Sequence, residues 1–187
     1  MNLLPYPRFL ERQAGSYELG ARARLEVAAD LAPASARQLA RRLGAVARSA
    51  GVELRCEPSG SGQRQPAIQA RRSSRAPNHP EGYALSIGAQ GIRVDYRAEA
   101  GLRAATATLR QLLREYGRKL PRLLIRDHPD FARRGVMLDV SRGRVPSLET
   151  LLGLVEDLAD FKLNEFQLYI EHTFAYRNYR AVWQGWG

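Results

Sequence analysis

The apolar and polar positions in the first 60 residues change period several times. Apolar residues recur at every second position over residues 16–29, which predicts an early strand or hairpin. Over residues 35–50 they recur at steps of three and four, which predicts a helix with Ser35 as its N-cap and Gly51 just past its end. Residues 52–56 alternate again, so the opening of the chain mixes strands and helix.

The next stretch predicts a loop and then a β-hairpin. Residues 58–80 are rich in Ser, Gly, Gln, Arg and Pro and read as a loop, interrupted by a short strand at 67–70. Residues 83–87 and 92–96 each alternate between apolar and polar, and a turn at Gln90-Gly91 joins them, as in a hairpin. A helix over 98–116 follows, with apolar residues on a single stripe. These elements predict a two-layer α+β domain over residues 1–125.

A different pattern begins at Phe131. Residues 135–140 form a nearly continuous apolar run, typical of a parallel strand that is covered on both faces. A helix over 147–161 and a strand over 164–170 follow. Units of this kind are almost always parallel and right-handed. The apolar residues expected on the inner face of the helix are Leu148, Leu151, Leu152, Val155, Leu158 and Phe161.

The composition bears on possible partners. A net charge of +10 raises nucleic acid or an anionic membrane as possible partners. Of the 29 basic residues only Lys119 and Lys162 are lysines, and the arginines are spread from Arg8 to Arg180 instead of forming one block. This distribution argues against a nucleic-acid footprint, and we expect no nucleic-acid partner. Cys56 is the only cysteine and there are three histidines, so neither an intrachain disulfide nor a metal site is expected.

The sequence also bears on location. Residues 1–15 lack the uninterrupted apolar stretch of a signal peptide, and no other segment approaches the roughly 20 apolar residues of a membrane span. As written, the chain is expected to be cytoplasmic, without a membrane partner, and export of a longer form remains compatible with this pattern.

Several strings resemble family 20 glycoside hydrolases, the β-N-acetylhexosaminidases. These strings are R-G-V-M-L-D-V-S-R from Arg134, K-L-N-E-F-Q-L-Y-I-E-H from Lys162, and, upstream, G-Y-A-L-S-I at 82–87 and I-R-D-H-P-D-F at 125–131. The resemblance implies an α/β chain in two parts. Residues 1–125 would form a two-layer α+β domain like hexosaminidase domain 2, and residues 126–187 the first βαβ unit of a truncated (β/α)8 TIM barrel.

The same resemblance implies an activity. Family members remove terminal β-linked N-acetylglucosamine or N-acetylgalactosamine with retention of configuration, and the 2-acetamido oxygen of the substrate attacks the anomeric carbon. No metal or organic cofactor is needed, and the partners are glycans that contain these sugars. A complete barrel takes about 250 residues. The family's catalytic Asp-Glu pair is therefore expected beyond residue 187, and the 187-residue chain is expected to be inactive by itself.

The resemblance implies three candidate substrate-binding residues, which are Arg142, Glu171 and His172. Arg142 occupies the place of the arginine that reaches the 3- and 4-hydroxyls of the sugar, and it lies just past the predicted first barrel strand. Glu171 falls on the first residue of an acidic pair after the second strand. The family usually has Asp at this point, so Glu171-His172 departs from the pattern. Asp139 is expected to be structural, accepting hydrogen bonds from neighbouring backbone.

Simpler interpretations remain open. Arg142 could be a solvated loop arginine, and Glu171 and His172 could merely end a strand. A non-catalytic carbohydrate-binding or interaction module is the main alternative for the whole chain. A basic nucleic-acid-binding protein is a third, favoured only if the arginines converge on one face.

Overall fold

The computed structural model describes residues 1–60, 65–141, 145–171 and 177–178. The chain divides into two compact units, Met1–Asp130 and Phe131–Gly187, called unit 1 and unit 2 below. The boundary lies five residues beyond the one predicted from the sequence, because a strand continues through residue 127.

Unit 1 is a mixed sheet of seven strands with two helices. The strands run in the order β1-β7-β5-β6-β4-β2-β3. Their bounds are β1 Phe9–Glu18, β2 Arg22–Val27, β3 Glu53–Pro58, β4 Ile68–Arg72, β5 Tyr83–Gly88, β6 Gly91–Tyr96 and β7 Lys119–Asp127.

The predicted hairpin of β5 and β6 is confirmed, with Tyr83 paired to Tyr96 and Gly88 to Gly91 in antiparallel register. The hairpin interpretation of residues 16–29 is wrong. β1 pairs antiparallel with β7, whereas β2 pairs parallel with β3 and β4, so the two strands lie in different parts of the sheet. The alternation of residues shows that strands are present here, but it does not show which strands pair.

The helices are α1, Pro33–Ser49, and α2, Glu99–Tyr116. The prediction that Ser35 caps α1 is wrong, because Pro33 already opens the helix and the N-cap is Ala32. The Ser35 hydroxyl instead donates a 2.6 Å hydrogen bond to Glu99 at the start of α2.

The sheet and the two helices share one hydrophobic core. Residues of this core that are at most 2% exposed include Leu25, Ile68 and Leu85 of the sheet and Leu43 and Leu109 of the helices.

Strand β7 was not predicted from the sequence, and neither was the part of β1 before residue 16. Pro121 lies inside β7, and a proline cannot donate to a strand ladder, so a strand assignment is normally weakened at such a position. Here β7 pairs with β1 on one side and with β5 on the other. Leu123 and Ile125, both at most 1% exposed, bring their side chains into the core.

Unit 2 contains a strand, a helix and a second strand: β8 Gly135–Asp139, α3 Leu148–Asp160 and β9 Glu165–Tyr169. The strands are parallel, as predicted, with Gly135 opposite Glu165 and Asp139 opposite Tyr169. Ser147 caps α3, and its hydroxyl oxygen accepts a 3.2 Å hydrogen bond from the backbone N–H of Thr150.

The apolar faces of this unit are not covered by other described residues, as expected for a single strand, helix and strand without the rest of a barrel. Met137 of β8, which was expected on a strand covered on both faces, is 64% exposed. On α3, Leu148 and Leu152 are 72% and 58% exposed, and Val155 and Phe161 are also exposed, whereas Leu158 is buried. The apolar pattern therefore marks surfaces that other elements would have to cover.

Within the described parts of the chain, no helix is both long and apolar enough to cross a membrane.

Candidate functional site

The carboxyl ends of β8 and β9 lie side by side. The strands are parallel, Asp139 pairs with Tyr169, and the N–H of Val140 donates a 3.0 Å hydrogen bond to the carbonyl oxygen of Tyr169. Ser141 and Glu171 each follow this pair by two residues. The segments that carry the candidate residues of the motif therefore leave the sheet at the same edge.

Asp139 stabilises the turn that leaves β8. Its Oδ1 accepts a 2.8 Å hydrogen bond from the backbone N–H of Ser141 and a 2.5 Å hydrogen bond from the Ser141 hydroxyl. A carboxylate that binds its own chain two residues ahead forms a local turn. The structural role expected for Asp139 is thus seen directly in its two hydrogen bonds to Ser141.

Glu171 is described and exposed, and it accepts a 3.1 Å hydrogen bond from the Tyr169 hydroxyl. This hydrogen bond, together with the negative charge of Glu171, raises the pKa of the Tyr169 phenol. The phenol therefore keeps its proton and remains a donor to the carboxylate. The spacing of two residues along an extended strand places the side chains of Tyr169 and Glu171 on one face, which is a signal that the sequence already contains.

The other two candidate residues, Arg142 and His172, lie outside the described residues. Their predicted roles remain predictions. What the structure supplies is the position of their neighbours, Ser141 and Glu171, at the same end of the parallel pair.

The opposite, amino-terminal end of the pair explains why the motif contains Arg134 and Gly135. A Cβ on Gly135 would lie 2.6 Å from Glu165 Cβ and 2.7 Å from the Glu165 carbonyl oxygen, so only glycine fits beside β9. The guanidinium of Arg134 donates hydrogen bonds of 3.1 and 2.9 Å to the carbonyl oxygen of Lys162 and one of 2.6 Å to that of Phe131.

Asn164 completes this junction. Its side-chain carbonyl oxygen accepts a 2.9 Å hydrogen bond from the backbone N–H of Arg134, and its side-chain NH2 donates one of 2.8 Å to the carbonyl oxygen of Ala132. Lys162 just before it has φ of +60°, the left-handed conformation that ends α3 and turns the chain into β9. The R-G and K-L-N strings therefore have a structural role at one end of the strands, and the candidate chemistry lies at the other.

Unit 1 contains a buried polar cluster that the sequence analysis did not identify. The Tyr83 hydroxyl lies 2.7 Å from Thr108 Oγ1 and 3.0 Å from Asp127 Oδ2. The rings of His79 and His128 stack with centroids 5.2 Å apart. Within the described residues no cluster of three or more His, Cys, Asp or Glu side chains is arranged to hold a metal ion.

Comparison with known proteins gives one family. Residues 1–128 match the family described as glycosyl hydrolase family 20, domain 2. The chain is 30% identical over 180 residues to a β-hexosaminidase from Vibrio furnissii, covering 95% of this chain and 27% of that protein. It is 34% identical over 115 residues to a β-N-acetylhexosaminidase from Cellulomonas fimi, covering 59% of this chain and 23% of that protein.

Solved structures agree with these relatives. The N-acetyl-β-hexosaminidase of Streptomyces plicatus in complex with thio-NAglucal has a TM-score of 0.78 at 26% identity, covering 91% of this chain and 34% of that one. The family 20 exo-β-N-acetylglucosaminidase of Vibrio harveyi in complex with N-acetylglucosamine has a TM-score of 0.73 at 27% identity, covering 91% and 26%. The chain thus spans only about a quarter to a third of these proteins, with the mixed α/β fold of their domain 2.

Proposed function

Because this chain belongs to glycosyl hydrolase family 20, we propose that it forms the front part of a β-N-acetylhexosaminidase. Unit 1 is its domain 2, and β8, α3 and β9 are the first strand, helix and strand of its catalytic (β/α)8 barrel. The complete enzyme removes terminal β-linked N-acetylglucosamine or N-acetylgalactosamine by substrate-assisted hydrolysis with retention of configuration.

The observation that carries this proposal is the parallel pairing of β8 and β9 with a helix between them. In (β/α)8 enzymes the chemistry lies at the carboxyl ends of the parallel strands. Asp139 and Tyr169 mark those ends here, and the motif residues Arg142 and Glu171 follow them by three and two residues. A sheet of antiparallel strands would have separated the two segments.

The exposed apolar residues of unit 2 support the barrel assignment. Met137 on β8, Leu168 on β9 and Leu152 on α3 are 64%, 44% and 58% exposed. Apolar strand faces of this kind are covered in barrels by the packed interior on one side and by helices on the other. We therefore propose that further strands and helices of the same barrel cover them in the complete enzyme.

In this proposal the guanidinium of Arg142 donates hydrogen bonds to the 3- and 4-hydroxyls of the terminal sugar. Its fixed fork of N–H donors suits two vicinal hydroxyls. Glu171 and His172 hold the hydrogen-bond network beside it, with Tyr169 donating to Glu171. The Asp-Glu pair that orients the acetamido group and transfers the proton belongs to a later strand, so no residue of this chain is assigned as the general acid or base.

The test compares two chains on a chromogenic N-acetylglucosaminide. We expect no measurable rate from the 187-residue chain and a clear rate from a longer chain that continues through an Asp-Glu pair. A rate from the 187-residue chain would show that the catalytic groups lie within it, contrary to the proposal. No rate from the longer chain, with binding of N-acetylglucosamine retained, would instead favour a non-catalytic carbohydrate-binding module.

A further inference from the structure

The face of the unit 1 sheet turned away from the helices carries an open groove of about 520 Å³. It is called the sheet groove here, and its main lining residues are Gln13 of β1, Gln69 of β4, Ser86 and Gly88 of β5, Arg93 of β6 and Leu124 of β7. Gln69, Ser86, Arg93 and Leu124 alternate along their strands with buried Ile68, Ile87, Ile92 and Leu123, so these four point to the side opposite the core.

The groove exists because small residues lie between long ones. Gly88 and Gly91 pair at the end of the hairpin, and Ser86 precedes Gly88 on the same face. A Cβ added to Gly88 would meet nothing within 4 Å. The long side chains of Gln69 and Arg93 rise on one side of this low strip, and Gln13 and Leu124 lie on the other. The volume falls within the roughly 300–1,000 Å³ of small-molecule sites.

One side chain of the groove is held in place by a buried carboxylate. Glu26 is 7% exposed and accepts 3.1 Å hydrogen bonds from Gln69 Nε2 and from the Ser59 hydroxyl. This contact fixes the amide of Gln69, whose carbonyl oxygen remains able to accept a hydrogen bond. A polar group that is positioned before binding loses less conformational entropy when a ligand binds.

The chemistry of the lining selects the class of ligand. The described residues that line the groove include several side-chain amides, one hydroxyl and one guanidinium, and none of them is acidic. Arg93 is exposed, and its guanidinium forms no hydrogen bond or ion pair with another described residue. Amide and guanidinium groups supply both donors and acceptors to hydroxyl and acetamido groups, while Leu124 offers an apolar surface. This combination suits an uncharged, N-acetylated sugar chain better than a cation or an apolar ligand.

From these observations we propose that the sheet groove is an accessory binding site for a neutral oligosaccharide with acetamido groups. The choice of ligand rests on the proposed function, since the site would hold a distant part of the same glycan that the barrel cleaves. The Arg93 guanidinium donates to the sugar, the Gln69 carbonyl oxygen accepts from it, the Ser86 hydroxyl can do either, and Leu124 contacts its apolar face. The open groove buries only part of the ligand, so binding is weak, with a Kd of about 1 mM.

The experiment measures binding of a soluble β-linked N-acetylglucosamine oligomer to the 187-residue chain by titration calorimetry and by NMR shifts. A Cβ at Gly88 meets nothing within 4 Å, so Gly88→Tyr should direct its ring into the groove and is expected to weaken binding by at least about tenfold. Ala34→Tyr adds the same side chain at an exposed position in the first turn of α1 and should leave binding unchanged. Thermal unfolding checks that each variant is folded.

A second variant, Arg93→Ala, removes a donor at an exposed position and is also expected to weaken binding, so the test does not depend on Gly88→Tyr folding. Absence of binding to the original chain, or equal binding by Gly88→Tyr and Ala34→Tyr, would overturn the proposal. Neither outcome concerns hydrolysis. If the longer chain hydrolyses its substrate while the groove does not bind, only the groove is wrong. If the groove binds but the longer chain is inactive, only the proposed function fails.

Discussion

Tyr83 and Asp127 lie opposite each other on paired strands β5 and β7, and the Tyr83 hydroxyl donates a 3.0 Å hydrogen bond to Asp127 Oδ2. Both residues are buried, at 0% and 7% exposure. Asp127 Oδ1 also accepts a 3.2 Å hydrogen bond from the backbone N–H of Arg8, and Thr108 of α2 lies 2.7 Å from the phenol oxygen. The pair thus joins the sheet, the second helix and the segment before β1, and the hydrogen bonds compensate for burial of the carboxylate.

Replacement of Tyr83 by Phe should destabilise the chain by about 1–3 kcal/mol, because Asp127 loses a donor in a buried site and Thr108 loses its partner. Urea unfolding followed by circular dichroism measures the change. Tyr6→Phe is the matched control, since Tyr6 is 67% exposed and its replacement should alter stability by less than about 0.5 kcal/mol. Equal effects of the two substitutions would contradict the role of the buried pair.

The same pair predicts a loss of stability in alkali. Burial, and then the charge of Asp127, raises the pKa of Tyr83 well above its ordinary value of 10.0. In the unfolded chain Tyr83 loses its proton near pH 10, whereas the folded chain retains it. The unfolded state then binds fewer protons, so the free energy of unfolding falls as the pH rises above about 10. The free energy of unfolding, measured from neutral pH to above about pH 10, should fall less steeply with pH in Tyr83→Phe than in the original chain. An unchanged slope would mean that another group is responsible.

Gly135→Ala tests the close contact between β8 and β9. The new Cβ would lie 2.6 Å from Glu165 Cβ and 2.7 Å from the Glu165 carbonyl oxygen, and backbone cannot easily move away. We expect a destabilisation of about 1–3 kcal/mol, the usual cost of overpacking. This destabilisation should be measurable as faster hydrogen exchange of the backbone amides of β8 and β9.

Gly153→Ala is the control for this substitution. Gly153 lies within α3, and a Cβ there would meet nothing within 4 Å. Alanine at a helix interior is favoured over glycine by about 0.5–1 kcal/mol, so this variant should protect the amides of α3 slightly more. Equal loss of amide protection in both variants would show that unit 2 is destabilised by any substitution. The close contact at Gly135 would then not explain the effect of Gly135→Ala.

Helices and strands with a regular hydrophobic period could be predicted from the sequence, whereas the order in which the strands pair could not. The hairpin of β5 and β6 follows from alternation and a turn signal, and the parallel β8 and β9 from a strand, helix and strand in succession. Strand β7 was missed because Pro121 opposes a strand assignment locally, while its pairing with two neighbours outweighs this cost. The position of β2 between β3 and β4 depends on long-range pairing that no local pattern encodes.

The candidate site was predictable only in part, for a similar reason. The family motif identified the segments at the carboxyl ends of β8 and β9, and Asp139 has the local structural role expected of it. The bond between Tyr169 and Glu171 joins residues two apart and follows from strand geometry. Tyr83 and Asp127 lie 44 residues apart, so no local pattern links them, and the pairing of β5 with β7 brings them together.

Glu171→Gln should lower the pKa of Tyr169 towards its ordinary value. The hydrogen bond to Glu171 is the main cause of the raised pKa, the negative charge of Glu171 is the next, and glutamine removes that charge. Phenolate absorbance during alkaline titration measures the change, with Tyr169→Phe identifying which of the tyrosines is responsible. If Glu171→Gln and the original chain titrate identically, the two side chains do not interact in solution.

Arg142→Ala, made in the longer chain that carries the Asp-Glu pair, tests the substrate-binding role proposed for this arginine. Loss of its charged hydrogen bonds to two sugar hydroxyls should lower kcat/KM by roughly 10- to 150-fold, the equivalent of about 1.5–3 kcal/mol. Arg142→Lys keeps the charge but loses the planar fork of donors, so it should recover only part of the activity.

Arg144→Ala is the control, because Arg144 lies two residues past the end of the family motif. A substrate in which one of the two hydroxyls is replaced by hydrogen should be cleaved less well by the original enzyme, while Arg142→Ala should discriminate little between the two substrates. Full discrimination by Arg142→Ala would show that other groups bind these hydroxyls and that Arg142 is a solvated loop residue.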